Sequence, residues 1–160
     1  MMLCLDVGNS HLYGGVFDGD SIRLRFRHPS KESTSDELGL FLKQVLRENN
    51  VAPERITHIT IGSVVPQLDY SLRSACIKYF SIKPFFLQSG VKTGLHIKYR
   101  NPVDVGADRI ADAIAAVHRF PNTPLIMIDF GTAITFCAVD EKKSYLGGAI
   151  LPGIKLAVDA

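Results

Sequence analysis

Apolar residues come in short runs along this chain, and a glycine, a proline or a charge closes each run. Met2 to Val7 has the length and composition of a buried strand, and Leu12 to Phe17 reads as a second. Asp18-Gly19-Asp20 then supplies hairpin chemistry. The third strand alternates cleanly, with Ile22, Leu24 and Phe26 on one face and Arg23, Arg25 and Arg27 on the other. That arginine stripe reads as a solvated strand face rather than a nucleic-acid contact. Thr34 followed by Glu37 makes a capping box. The helix behind it carries Leu38, Phe41, Leu42, Val45 and Leu46 on one stripe and ends near Asn49-Asn50. A turn at Pro53 leads to a fourth strand over Ile56 to Ile61, a helix over Gln67 to Tyr79 and a short strand over Phe85 to Leu87. A further helix over Ala107 to His118 runs to Pro121 and Pro124, which mark a boundary.

After Pro124 the opening pattern restarts. Leu125 to Asp129 is expected as a core strand, Ala133 to Val139 as a second and Ser144 to Ile150 as a third. Asp140 to Lys143 forms the turn between the last two, and Pro152-Gly153 would start a helix. Aligning Asp6 with Asp129 places Gly8 on Gly131, Asn9 on Thr132 and Ser10 on Ala133. The distance between the copies is that of a duplicated domain, not of a short repeat. Because the second copy is unfinished, the 160 residues are expected to be a fragment or a shortened version of a two-domain protein. Residues 1–120 would be its first domain and 121–160 the beginning of its second.

Composition narrows the class. With 46% apolar and 21% charged residues the chain can build a core and is not expected to be disordered. A net charge of +2 gives no case for nucleic acid or an anionic membrane. No stretch approaches the roughly 20 apolar residues of a membrane span. No basic segment precedes the first apolar run and Asp6 interrupts it, so no signal peptide is expected. Cys4, Cys76 and Cys137 are widely spaced with no CxxC pair, and read as buried free thiols of a cytoplasmic protein rather than a zinc site.

A carboxylate at the end of a core strand is costly unless a charged partner meets it. Asp6 and Asp129 both occupy that position, and each leads into an Asp-x-Gly turn with Asn9 and Ser10, or Thr132, beside it. Gly8 and Gly131 allow positive φ and close approach, so backbone N–H groups can point at an anion. A carboxylate there would repel phosphate directly, so it must hold a cation that bridges to the phosphate. One such turn is a weak signal, because an Asp-Gly turn that merely caps a strand looks the same. Two in equivalent places, able to face each other across a cleft, point to a nucleotide. The defining residues of P-loop and Rossmann sites are absent.

The third signal is "KYRNPVDVGADRIADAIAA", where Gly106-Ala107 forms a turn at a helix start with Asp108 and Arg109 in the first helical turn. An exposed, ionised aspartate there suits a base that takes a proton from an alcohol. Arg109 suits a carboxylate held bidentately or a transferring phosphoryl group. A helix-terminal charge for Asp108 and a surface ion pair with Asp112 for Arg109 explain the segment equally well at this point.

Four segments taken together resemble the type III pantothenate kinases. They are "DVGNSHLYGGVF" at 6–17, "YRNPVDVGADR" at 99–109, "DFGTAITF" at 129–136 and "GGAILPG" at 147–153. The resemblance covers the whole chain. It implies an α/β fold of the acetate and sugar kinase, Hsp70 and actin superfamily, with duplicated ribonuclease-H-like domains, mixed sheets flanked by helices and the second domain incomplete here. It further implies transfer of the ATP γ-phosphoryl to the primary hydroxyl of pantothenate, with Mg2+ and a monovalent cation, K+ or NH4+. By similarity Asp6, Val7, Gly8, Asn9, Ser10, His11, Leu12 and Tyr13 form the first phosphate loop, with Asp6 serving the magnesium-bound nucleotide, and Thr132 touches ATP. Tyr99, Gly106, Ala107, Asp108 and Arg109 would contact pantothenate, with Asp108 as the base, and Asp129 would bind the monovalent cation. A cytoplasmic homodimer is implied, with no nucleic-acid or membrane partner. Ser10 stands where many members have Thr, which keeps the hydroxyl. Members run on past residue 160, through a portion that completes the second domain, adds a substrate-contacting threonine and supplies much of the dimer interface. Two rival readings share this fold: a phosphotransferase or phosphatase acting on acetate, a sugar or polyphosphate, and a non-catalytic nucleotide-binding accessory or regulatory module.

Overall fold

The computed structural model describes residues 1–158. Asp159 and Ala160, which close the range expected for the second domain, lie outside the described residues. The chain divides into two compact units, Met1–Leu87 and the residues from Gln88 onward.

The first unit runs β1 (Met2–Val7), β2 (His11–Asp18), β3 (Ser21–Pro29), α1 (Ser35–Glu48), β4 (His58–Ser63), α2 (Pro66–Phe80) and β5 (Phe85–Leu87). Its sheet has the order β3-β2-β1-β4-β5. β1, β2 and β3 pair antiparallel because short turns join them, and Gly19 takes φ +60° in the second turn. β1–β4 and β4–β5 pair parallel, and each of those returns is made through a helix. Leu3, Leu5 and Val7 of β1 are buried with Ile59 and Ile61 of β4 and Leu12 and Val16 of β2. Leu38, Leu42 and Leu46 of α1 and Leu68, Leu72 and Ala75 of α2 close over them, as the apolar stripes require.

α1 starts where the capping box puts it. The Glu37 N–H donates to Thr34 Oγ1 at 3.2 Å, and the Thr34 N–H donates to Glu37 Oε2 at 2.7 Å. Thr34→Ala removes the side-chain half of this exchange and should lower the melting temperature by roughly 4–8 °C. A melt followed by circular dichroism checks it, and an unchanged midpoint would assign the helix start to packing alone.

The second unit contains β6 (His96–Ile97), α3 (Ala107–Arg119), β7 (Leu125–Phe130), β8 (Ala133–Val139), β9 (Ser144–Pro152) and α4 (Ile154–Val158). Its sheet has the order β6-β9-β8-β7. The β7-β8-β9 meander repeats β1-β2-β3, as the restarted pattern predicts. α3 packs on β7 and β8, and the compact units divide at Leu87/Gln88. Ile110 and Ala113 of α3 are buried, whereas Pro121 and Pro124 only bound the loop into β7.

β7 departs from the expected core strand. Ile126, Ile128 and Phe130 are 74%, 49% and 68% exposed, because α3 covers one face of the sheet and the described residues leave the other bare. In the first sheet β1 has β4 on its outer side, whereas β7 has no neighbour there among the described residues. Cys76 and Cys137 are buried and Cys4 half-buried, all three as free thiols. Burial pushes the Cys76 thiol up to about 12, against a smaller opposing pull from Arg73, and raises Cys4 as well, so both pack as apolar groups. Among the described residues no helix is long and apolar enough to cross a membrane.

Candidate active site

Strand alternation explains what the first turn presents. Leu3, Leu5 and Val7 point into the core, so Asp6 lies on the opposite face, exposed, with Tyr13 of β2 as its cross-strand partner. The three-residue turn Gly8–Ser10 is closed by the Gly8 N–H, which donates to the His11 carbonyl at 3.0 Å. The Ser10 carbonyl accepts from the Ser30 N–H at 3.0 Å, which ties the turn to the chain just beyond β3. Asn9, Ser10 and Tyr13 are exposed, and the His11 ring lies 6.0 Å from the Tyr13 ring. Val7 and Leu12, counted in the expected phosphate loop, have their side chains in the core. Any contact they make with a nucleotide is through backbone.

The second turn is one residue shorter. Asp6 pairs across its hairpin with Tyr13, but Asp129 pairs with Thr135, so Gly131 and Thr132 alone join β7 to β8. The alignment of the two copies therefore holds from the aspartate to the glycine and slips afterwards, with Ala133 matching His11 and not Ser10. Neither Gly8 nor Gly131 takes a positive φ. The Gly131 N–H donates to the Ala133 carbonyl at 3.0 Å, as Gly8 does to His11, so both glycine N–H groups shape their turns instead of facing an anion. Gly153 braces the second turn by close approach. Its N–H donates to the Thr132 carbonyl at 3.2 Å, and a Cβ there would run into that carbonyl and lie 2.7 Å from the Gly131 oxygen.

The first turns of α3 add two carboxylates, Asp108 and Asp112, to the region of Asp129. Gly106 is the N-cap, and Asp108 Oδ1 accepts from the Arg109 N–H at 2.7 Å. Arg109 reaches Cys137 of β8, whose partner on β7 is Met127. Leu125, Met127 and Asp129 share a face by alternation, so Asp129 lies on the side of the sheet that α3 covers. Asp112 follows Asp108 by one helical turn. Crowding by protein atoms, and then the charges of Asp129 and Asp108, raise the Asp112 carboxyl above its ordinary value even though solvent reaches it. The three carboxylates form one negative region. Among the described residues no three His, Cys, Asp or Glu side chains converge closely enough to hold a metal ion by themselves. Asp112 was not among the expected site residues, although its four-residue spacing from Asp108 was the available signal.

Arg109 turns inward, and the surface ion pair with Asp112 does not form. Its side chain is 6% exposed, Nε donates to Cys137 Sγ at 3.2 Å, and the guanidinium carbon lies 5.7 Å from the centre of the Tyr145 ring. Burial opposes its charge, but Cys137, Tyr145 and Tyr99 outweigh burial and raise its pKa above the ordinary arginine value. Tyr99 is half-buried against Gly147, which takes φ +130° where β9 shifts register against β8. A Cβ on Gly148 would collide with the Phe136 carbonyl and sit 2.9 Å from Arg109 Nη2. The Gly147-Gly148 pair thus makes room for Tyr99 and Arg109. Gly106, Ala107, Asp108 and Arg109 are together at the α3 N-terminus, with Tyr99 near the guanidinium.

Comparison with known proteins agrees with these segments. A family model described as "Type III pantothenate kinase" matches residues 2–160. The chain is 76% identical over 160 residues to the type III pantothenate kinase of Legionella pneumophila (strain Corby), covering all of this chain and 62% of that protein. It is 50% identical over 161 residues to type III pantothenate kinase 1 of Francisella tularensis subsp. holarctica (strain OSU18), covering 63% of it. The chain therefore spans less than two thirds of the length of these curated relatives. Among solved structures, the type II variant of the Aquifex aeolicus Ppx/GppA phosphatase matches with a TM-score of 0.55 at 11% identity, over 99% of this chain and 54% of that one. That likeness carries the fold and no more.

Proposed function

The chain belongs to the type III pantothenate kinase family, and from that premise we propose that the whole protein transfers the ATP γ-phosphoryl to the primary hydroxyl of pantothenate. The product is 4'-phosphopantothenate, at the first step of coenzyme A biosynthesis, in a cytoplasmic homodimer. A first domain at residues 1–120 and the beginning of a second at 121–160 belong to the same proposal. The supporting observation is Asp108 in the first turn of α3, with one carboxylate oxygen fixed by the Arg109 N–H at 2.7 Å. That bond orients the group and leaves Oδ2 to accept the hydroxyl proton.

Bound ATP and Mg2+ supply the phosphoryl group and neutralise its charge. Asp6 serves the magnesium-bound nucleotide, the residues from Val7 to Tyr13 belong to the first phosphate loop, and Thr132 touches ATP. Tyr99 and the segment from Gly106 to Arg109 hold pantothenate. Asp129 fits a monovalent cation, because the Asp112 carboxylate close by adds to the negative potential around it and, among the described residues, no three side chains offer a divalent cage. Asp129→Asn should raise the K+ or NH4+ concentration needed for half-activation roughly tenfold. A cation titration coinciding with the parent's would reject the assignment.

ADP release measured with pantothenate, acetate, a sugar and polyphosphate tests the activity itself. Pantothenate-dependent release is expected. Nucleotide binding with no turnover on any acceptor would replace the kinase with a binding module, and release dependent on another acceptor would replace the substrate.

A further inference from the structure

Arg109 is a buried cation with no carboxylate within ion-pair distance among the described residues. The group that holds it is a sulfur. Cys137 Sγ accepts from Arg109 Nε at 3.2 Å, and the Tyr145 hydroxyl donates to the same sulfur at 3.2 Å. Cys137 is 3% exposed and Tyr145 fully buried. The guanidinium leans over the Tyr145 ring, and its Nη2, also buried, has no hydrogen-bond partner. One corner of the planar fork is therefore fixed while part of the Nη edge keeps unspent donor capacity. A buried guanidinium left part-satisfied is costly unless an anion completes it.

We propose that Cys137 and Tyr145 are positioning residues that hold Arg109 by its Nε corner, and that this hold sets the affinity for the substrate carboxylate. Neither residue touches the substrate. The inference rests on the pantothenate reading for the identity of that carboxylate, and on this chain's own contacts for the hold. Cys137 joins β8 to α3 through Arg109, and Tyr145 joins β9 to the same sulfur, so the guanidinium carried by α3 is held from both β8 and β9.

The test uses the full chain with Cys137→Ala, Cys137→Ser and Tyr145→Phe. Cys137→Ala removes the acceptor and should raise KM for pantothenate about tenfold, with kcat and KM for ATP within about twofold of the parent. Cys137→Ser keeps an acceptor and should stay within about threefold, and Tyr145→Phe should raise the same KM by a smaller factor. Equal constants in the alanine, serine and parent proteins would overturn the proposal. So would a loss in kcat and KM for ATP that matches the loss for pantothenate, since a merely structural role moves all three.

A second measurement does not need turnover. The Arg109 Nε–H resonance, observed with 15N-labelled arginine, should exchange slowly in the parent and the serine variant and rapidly in the alanine variant. Titrated pantothenate should shift it in the parent at about a tenth of the concentration needed in the alanine variant. If the parent shows no pantothenate-dependent turnover, the kinase reading fails, and this resonance alone decides the inference. Slow exchange and an unchanged titration in the alanine variant would overturn it.

Discussion

Asp108→Asn lowers pantothenate-dependent ATP turnover by about 10² to 10⁴-fold, a barrier change of roughly 3–5 kcal/mol. The fold should survive, because the asparagine carbonyl oxygen can still accept the Arg109 N–H that Asp108 Oδ1 accepts at 2.7 Å. What the amide cannot do is take a proton. The loss should therefore appear in kcat, with melting temperature and KM for both substrates near the parent's. Steady-state kinetics beside a thermal melt decide the point. A variant that keeps more than about a tenth of the parent rate removes Asp108 from the role of base.

Gly148→Ala has the largest expected effect on stability, about 3 kcal/mol, at the top of the usual range for overpacking. The new Cβ meets the Phe136 carbonyl, which belongs to a paired strand and cannot swing aside as a side chain would. It also comes within 2.9 Å of Arg109 Nη2, so relief by backbone movement displaces the guanidinium. Urea unfolding monitored on the second unit measures this. A change below about 0.5 kcal/mol would show that β9 yields freely at this position.

The sequence carried the order of elements well where period or punctuation was strong. The Thr34–Glu37 box placed the start of α1, and β5 and β8 fall on their expected residues. Two kinds of feature stayed hidden. β6 has two residues, too few to show any period, and exists only because it finds β9. The assignment of α3 to the second unit depends on what Ile110 and Ala113 pack against, which no local pattern states. In the site, the aspartates were legible from their place at strand ends. The slipped register after Gly131 was not, because a turn shortened by one residue leaves the motif intact. Arg109 ended inside because Cys137, which reads as plain packing, offers its sulfur to the guanidinium.

The uncovered side of β7 governs how this stretch of polypeptide behaves in a tube. Among the described residues no strand pairs with its outer rim, so the backbone donors and acceptors there, flanked by Ile126, Ile128 and Phe130, form a template on which a second molecule can zip. Solutions of it should turn cloudy as concentration rises and fluoresce with hydrophobic dyes. A lysine in place of Ile128 should delay both without disturbing the hairpin that carries Asp129.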